Sequence, residues 1–424
     1  MRMNLLVRNI GKVKNAEISI DGITVVAGDN ASGKSTTAKA LYMMLDAVAD
    51  IERKSVFQKR RSIRREIRNA LELLFGTSGM IRENGIDFEN ELIRVYSGKL
   101  KEKSEFIQLF TSVIIRYVDM PMNEEYLSEI YANYAELSKR DRSYYENYIF
   151  QSSLENVFKE QANSIKGYSS GSIQYQTENA KIQMLIENNQ VMEHDISGIY
   201  YRLDAPIYIT TSDLMDTIGS ERKLYSAQRA QSASYMNVKL ANCLMRERSP
   251  ERMTAEEYNE NKEQRKVLSN ILNEIVDGDI RNDARGFSFY DNWCGAELDF
   301  SNIASGMKIF IILKRLIENG VLTRKNMIII DEPETNLHPE WQLKMAEFLV
   351  LLNKKLGLNV YVNSHSPYLV RAVEFYSNEY EVSDKTKFYY MNVDAKTRLA
   401  ECEDVTEKLG VIYDRLAAPF NRIM

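Results

Sequence analysis

The stretch GDNASGKS at residues 28–35 has the spacing G-x-x-x-x-G-K-S/T, and its chemistry is the holding of phosphate. In such a loop, backbone N–H groups and the start of the following helix point at phosphate oxygens. A lysine reaches the β- and γ-phosphates, and a hydroxyl takes Mg2+. Lys34 and Ser35 stand at those two positions. Gly28, Asp29, Asn30, Ala31, Ser32, Gly33 and Thr36 complete the nucleotide-binding loop. The ligand implied is ATP or GTP.

A second set of groups lies far along the chain. MIIIDE at 327–332 is an apolar run that ends in two adjacent carboxylates. Asp331 suits Mg2+, directly or through water, and Glu332 is placed to polarise an attacking water. A strand-end acid pair can instead cap a helix; the phosphate loop in the same chain tips the reading toward catalysis. One apolar run later, VNSHS brings His365, placed to sense or stabilise a γ-phosphate. The catalytic candidates are therefore Glu332 and His365, and the metal candidates Ser35 and Asp331.

IASGMK at 303–308 puts Ser305-Gly306 at the mouth of a helix. A serine hydroxyl backed by a helix N-terminus binds anions. With Lys34, Asp331, Glu332 and His365 assigned, this pair is spare within its own chain. Its natural target is the γ-phosphate held by a second copy, which gives a two-fold dimer with two nucleotides at its interface. The plain alternative is a helix cap.

These groups need elements to position them. Residues 3–8 and 16–20 read as strands, and Asp21-Gly22 as a hairpin turn into the buried strand ITVVA. A helix follows over roughly 34–49. Residues 51–165 turn to polar helical pattern, 172–209 to strands, and 222–275 back to helix. FSFYDN and AELDF read as a hairpin, 305–319 as a helix stopped by Gly320, NMIIIDE as a buried strand. A helix over 339–355, the strand LNVYVNSHS, a late strand KFYYMNV and a docking helix in 403–424 complete the pattern. Helices alternating with continuously apolar strands argue for a parallel sheet covered on both faces. The expected fold is α/β, with residues 1–50 and 166–424 forming one discontinuous domain and 51–165 a helical insertion.

Composition bounds the rest. At 424 residues, 44% hydrophobic and 27% charged, the chain can build a sizeable core. A net charge of −5 excludes a general basic nucleic-acid binder, so any such contact is a local patch. Cys243, Cys294 and Cys402 form no C-x-x-C pair and read as free thiols. No signal peptide and no apolar run long enough to span a bilayer is visible. The expectation is a cytoplasmic protein with no membrane partner.

Taken in order, NIGKVKNAEISIDGITVVAGDNASGKST, FSNIASGMK, IIIDEPETNLHPEWQ and VNSHSPYLV resemble the ABC-type ATPases of the SMC, RecF and OLD group. The likeness is nearest to stand-alone OLD-like ATPases of bacterial defence systems. It covers residues 1–50 and about 285–370 well, and the middle only in layout. It implies a P-loop head with an N-terminal mixed β lobe and a helix-flanked central parallel sheet, using ATP and Mg2+. Ser305, Gly306 and Lys308 match the signature that reaches a partner's nucleotide, and His365 the switch histidine. ETNLHP occupies the dimer-contact loop after the acids. Met307 stands where transporters carry a second glycine, and Ala31 replaces a frequent loop glycine. The glutamine that completes the Mg2+ shell has no clear place; Gln58 and Gln151 are guesses. No nuclease motif is visible, and the chain beyond Val370 is too short for the nuclease domain that OLD proteins carry. The implied partners are a second copy, or a higher even-numbered assembly, and a separate effector such as a nuclease or toxin.

The run RKSVFQKRRSIRREIR at 53–68, as a helix, presents cations nearly all round. Arg60, Arg61, Arg64 and Arg65 are its candidate contacts for DNA or an acidic partner, against the plainer reading of a solvated face. Tyr126, Tyr131, Tyr134, Tyr144, Tyr145 and Tyr148 suit either a partner surface or inter-helix packing. The function expected is a regulatory ATPase controlling an effector in anti-phage defence. The alternative is a RecF- or SMC-like DNA-maintenance ATPase. A transporter subunit or an ATP-locked scaffold fits less well.

Overall fold

The computed structural model describes residues 3–76, 85–97, 99–117, 122–163, 167–198, 204–210, 235–245, 255–283 and 286–417. The chain divides into two compact units, one of Met1–Ala49 with Gln151–Met424, the other of Asp50–Phe150. The elements, in chain order, begin with β1 (Met3–Ile10), β2 (Val13–Ile20), β3 (Ile23–Ala27) and α1 (Lys34–Val48). Next come α2 (Ile51–Phe75), α3 (Gly85–Tyr96), α4 (Lys103–Tyr117), α5 (Glu124–Ser138) and α6 (Arg142–Phe158). Strands β4 (Ser170–Thr177), β5 (Ala180–Glu187), β6 (Gln190–Gly198) and β7 (Ile207–Ile209) follow. Then come α7 (Tyr235–Met245), α8 (Ala255–Asn273), β8 (Gly278–Asp283), β9 (Gly286–Asp291), β10 (Ala296–Leu298) and α9 (Ser305–Glu318). The chain continues through β11 (Met327–Asp331), α10 (Pro339–Leu356), β12 (Asn359–Ser364) and α11 (Pro367–Glu379), then β13 (Thr386–Val393), β14 (Ala400–Asp404) and α12 (Gly410–Ala417).

One sheet of eleven strands organises the first unit, in the order β6-β5-β4-β1-β2-β14-β13-β3-β12-β11-β7. Strands β13, β3, β12, β11 and β7 run parallel. Strands β1, β2, β4, β5 and β6 form an antiparallel half. The sheet is thus mixed, with the parallel part forming the half that ends at the edge strand β7. Every residue of β3 is buried, which is why ITVVA carries no polar alternation. Period-two geometry then splits the central strands between two faces. Val25, Val360, Val362, Ile328 and Ile330 pack with Leu272, Phe310, Leu313, Phe348 and Val373 from α8, α9, α10 and α11. Tyr208 and Tyr361 point the other way, toward α1: Tyr361 meets the Thr37 hydroxyl at 2.9 Å, and Tyr208 meets the Tyr42 ring edge-on.

The pairing corrects one reading. Asp21-Gly22 does not close a hairpin, because β13 and β14 lie between β2 and β3. Gly22 instead receives the Val360 N–H on its carbonyl and donates its own N–H to Asn359. The tight turn is at Gly11-Lys12, where Ile10 faces Val13 and Gly11 has φ 53°. The FSFYDN and AELDF hairpin is present as β9 and β10, joined by β8, which the sequence pattern did not reveal. Of the 222–275 helical stretch, 222–234 and 246–254 lie outside the described residues, as does 418–424 of the tail.

The second unit is helical. Ile63, Ile67, Ala70 and Leu71 of α2 pack with Phe88, Leu92, Phe106, Phe110, Ile130 and Tyr134. The tyrosine run divides: Tyr134 is fully buried and stacks on Phe106, while Tyr126, Tyr144 and Tyr148 are exposed. The cations of α2, Lys54 excepted, stand at exposed positions, Lys59 among them. The positions facing Ile63 and Ile67 are apolar or small, and Arg53, Arg60, Arg61, Arg64, Arg65 and Arg68 share the exposed side with Phe57.

Candidate functional site

Parallel register sets three strand ends side by side: Ala27 of β3 faces Ser364 of β12, and Asp331 of β11 faces Asn363. Clefts beyond the carboxyl ends of such strands are where α/β sheets hold ligands. The loop after β3 turns at Gly28 and enters α1 through Gly33, whose φ of 97° suits glycine alone. A Cβ on Gly33 would also stand 3.1 Å from Val13. Ala31 holds a left-handed φ of 58°, which costs an alanine roughly 1–2 kcal/mol. Its carbonyl accepts from the Lys12 ammonium at 2.9 Å. This is the position where the resemblance leads one to expect glycine, and the backbone keeps the glycine-like conformation.

Lys34 is buried, and its Nζ donates to the carbonyls of Gly28 and Asp29, each at 2.8 Å. Burial pulls its pKa below the usual lysine value, while Glu332, Asp331, Glu334 and Asp29 oppose that shift. The ammonium therefore sits in the field of all four acids. Ser32 is also buried, and its Oγ has no hydrogen-bond partner. Ser35 and Thr36 are half-buried, and Asp29 and Asn30 are exposed.

Asp331 accepts from the Asn363 amide at 2.8 Å and from the Tyr208 hydroxyl at 3.3 Å. Burial, reinforced by Asp331, pushes the Tyr208 phenol well up, so it remains a donor. Glu332 sits at φ 54°, held there by its N–H donating to the Asn363 carbonyl at 3.0 Å. That backbone turn separates the two adjacent carboxylates. His365 Nδ1 lies 3.5 Å from a Glu332 oxygen and 3.3 Å from a Glu334 oxygen.

Sequence reasoning gave Glu334 only a place in the expected dimer-contact loop, and gave Asn363 and Tyr208 no role. Glu334 and Asn363 stand inside motifs already quoted, DEPET and VNSHS. Tyr208 carries no local signal; only strand pairing brings it to Asp331.

Ser305 opens α9 and is exposed, and Gly306 behind it is buried. A Cβ on Gly306 would lie 2.5 Å from the Asn336 carbonyl oxygen. That glycine is required by its own chain, for the close approach of α9 to the loop after the acids. Lys308 is buried, near enough to Asp299 to favour that carboxylate, whose pKa is lowered chiefly by the Ser301 hydroxyl and N–H. Gln151 is engaged elsewhere: its amide donates to Glu155 and its oxygen accepts from Val191 N–H. Arg60, Arg61, Arg64 and Arg65 lie in the other unit, with Gln58, and Arg64 pairs with Glu89 at 2.9 Å.

Whether Mg2+ fits can be judged from the donors present. Ser35 and Asp331 offer hard oxygen ligands, and the Asn363 Oδ1 beside Asp331 is buried without a partner. Among the described residues no group of three His, Cys, Asp or Glu forms an all-protein metal cage. Mg2+ held with nucleotide phosphates needs none, since one or two protein oxygens suffice. The residues fit the ion.

No helix among the described residues is long and apolar enough to cross a membrane. No curated protein matches the chain by sequence. Three solved structures align over nearly their whole length. The SMC head domain from Thermotoga maritima has 9% identity and TM-score 0.40, covering 96% of this chain and 99% of that one. An Smc head bound to the C-terminal winged-helix domain of ScpA has 9% identity and TM-score 0.45, covering 96% and 98%. An Smc head with an extended coiled coil, bound to the C-terminal domain of ScpA from Pyrococcus furiosus, has 11% identity and TM-score 0.44, covering 98% and 100%. Below a TM-score of 0.5 these likenesses are loose, and the fold stands on the strand order itself. The family pattern described as an AAA ATPase domain matches residues 1–370. That span takes in the loop, the acids and the histidine turn, so the chain belongs to the AAA ATPase domain family and is an ATP-hydrolysing enzyme.

Proposed function

We propose that this ATPase works as a regulator: it forms ATP-sandwich dimers and controls a separate effector, a nuclease or toxin, in anti-phage defence. The observation that carries the dimer is Ser305, exposed at a helix start that has neither a side-chain cap nor an acid in its first turn. Those N–H groups lack the usual partners of a helix start, and a γ-phosphate from a second copy would supply one. The effector role rests on the resemblance to OLD-like defence ATPases alone.

In this reading Lys34 and the loop N–H groups bind the β- and γ-phosphates. Ser35 and Asp331 would hold Mg2+, which would supply positive charge against the nucleotide phosphates. Glu332 orients the water and accepts its proton, and His365 contacts the γ-phosphate. Ser305 of the second copy completes the shell, so turnover requires association.

Native mass spectrometry of Glu332→Gln, purified from its native operon with and without ATP, tests this. An even-numbered assembly that needs ATP and carries a second protein is expected. A monomer at every ATP concentration would end the dimer proposal, and an ATP-dependent dimer with no companion would end the effector proposal alone.

The DNA-maintenance alternative has one observation of its own. On α2, Arg53, Arg60, Arg61 and Arg68 are exposed beside Phe57, which is 60% exposed. Cations interleaved with an aromatic ring suit a single strand, with phosphates on arginines and a base on the ring. Binding of a labelled oligonucleotide that falls steeply with salt, and is lost in Arg60→Glu/Arg61→Glu, would favour that alternative. Absence of both would leave α2 as a protein-facing or solvated surface.

A further inference from the structure

The loop that follows the acid pair carries a third carboxylate, Glu334. Its side chain is 3% exposed. Its Oε1 accepts three hydrogen bonds from consecutive residues: the Ser364 hydroxyl at 2.8 Å, the His365 N–H at 2.7 Å and the Ser366 N–H at 3.2 Å. One oxygen thus fixes the whole turn that joins β12 to α11. Hydrogen bonds to a carboxylate are about twice as strong as neutral ones, so this is a stiff clamp. The turn is held from its far side too, where the Ser366 hydroxyl donates to Gln342 at 2.5 Å and Gln342 donates to the Leu337 carbonyl at 3.1 Å.

The other oxygen is the informative one. Glu334 Oε2 is buried and has no hydrogen-bond partner. A buried carboxylate oxygen left bare is costly, and native structures rarely tolerate it without a reason. Burial raises the pKa of this carboxyl, against the hydrogen bonds from His365 N–H and Ser364 that lower it. An unsatisfied group beside this carboxylate is the His365 ring. Its Nδ1 is buried, lies 3.3 Å from Oε1, and forms no aligned hydrogen bond. The carboxylate thus has one oxygen without a partner, and the ring nitrogen beside it has none either, so the ring can be engaged by this carboxylate. The resulting Nδ1–H donation to Glu334 would fix the tautomer and leave Nε2 as the free polar atom of the ring.

We infer that Glu334 is a positioning residue for ATP hydrolysis, holding the Ser364–Ser366 turn and the His365 ring in register with Glu332. It acts through His365 and does not touch the reacting atoms. The geometry explains why a third acid follows so closely on the first two: Asp331 and Glu332 face the cleft, and Glu334 turns inward to brace the histidine.

Steady-state ATP turnover of Glu334→Gln in the full chain tests this. The amide keeps the volume and one acceptor oxygen for the turn, but presents an NH2 group where Oε2 stood. Loss of such a bracing partner lowers activity about 10- to 100-fold. The expected result is a fall of that size in kcat, with KM for ATP within about threefold of wild type. A kcat within twofold of wild type would overturn the inference. So would an equal loss of ATP binding, which would make Glu334 a prop for the fold alone. The double variant Glu334→Gln/His365→Ala separates the routes: it should be no slower than His365→Ala alone. Fully multiplied losses would show that Glu334 does not act through the histidine. Should Glu334→Gln fail to fold, Ser364→Ala removes one of the three donors and should lower kcat with KM unchanged. No kcat effect there would overturn the inference equally.

Discussion

Helices α1 and α9 start differently from the other helices whose first turns can be compared with them. Neither Gly33 nor Ala304 offers a side-chain hydrogen bond to the free N–H groups behind it, and neither helix has an acid in its first turn. Helix α5 starts on Asn123, which accepts from Glu125, and has two acids in its first turn. Helix α10 starts on His338 and carries Glu340. Helix α11 starts on Ser366, whose own N–H goes to Glu334. Helix α2 lacks a cap but has Glu52 in its first turn. A helix start left open in this way keeps its donors and its partial positive charge for something that arrives later. The phosphate loop and the Ser305 turn are the two places where an arriving phosphate is expected.

Substitutions at open and closed starts should therefore behave differently. Lys34→Ala removes the ammonium beside the open start of α1. Loss of a preorganised donor of this kind costs about 100- to 1,000-fold in turnover. An ATPase assay checks it, and a variant that still turned over at a tenth of the wild-type rate would break the contrast at its strongest point. Gly306→Ala forces a methyl group against the Asn336 carbonyl, which lies 2.5 Å from the Cβ position. Overpacking of this kind costs about 1–3 kcal/mol, readable as a lower midpoint in urea unfolding. Ser305→Ala sharpens the comparison, because the side chain is exposed and its loss should leave stability within about 0.5 kcal/mol. If the hydroxyl binds a phosphate in a second copy, ATP-dependent association should weaken about tenfold, measured by sedimentation. At the closed start, Asn123→Ala should lower stability by about 1 kcal/mol and leave turnover alone. Loss of turnover there, in the helical unit, would mean that the closed starts matter to the chemistry after all.

How much of this was legible in the sequence depended on distance along the chain. The phosphate loop, the acid-tipped strand and the histidine turn each announce themselves within ten residues, because local spacing dictates their chemistry. Strand order does not. Asp21-Gly22 looks like a hairpin turn locally, and only the insertion of β13 and β14 makes it a crossing. Glu334 was read only as part of a dimer-contact loop for the same reason: a carboxylate that turns inward looks like its neighbours until burial is known. The α2 cations are dense enough to suggest an all-round charge, yet the partners of Ile63 and Ile67 in α3, α4 and α5 decide which side faces solvent. Gly306 was legible as small but not as necessary. Its reason is a carbonyl thirty residues away, at Asn336.

The place of β3 in the sheet has a consequence for how the protein comes into being. Strand β3, with the glycine-rich loop behind it, is synthesised before both of its neighbours in the sheet. Its two neighbours, β12 and β13, come from residues 359–393, near the end of the described chain. Until those arrive, β3 is an apolar strand with two unpaired edges. Pairings this distant in sequence close slowly, because the entropy of the long intervening loop must be overcome before any contact forms. The Asp50–Phe150 unit has its own apolar cluster, so it can condense while the rest is still being made. Nucleotide binding should then be a late event in biogenesis, and ATP a ligand that seals an assembly already complete.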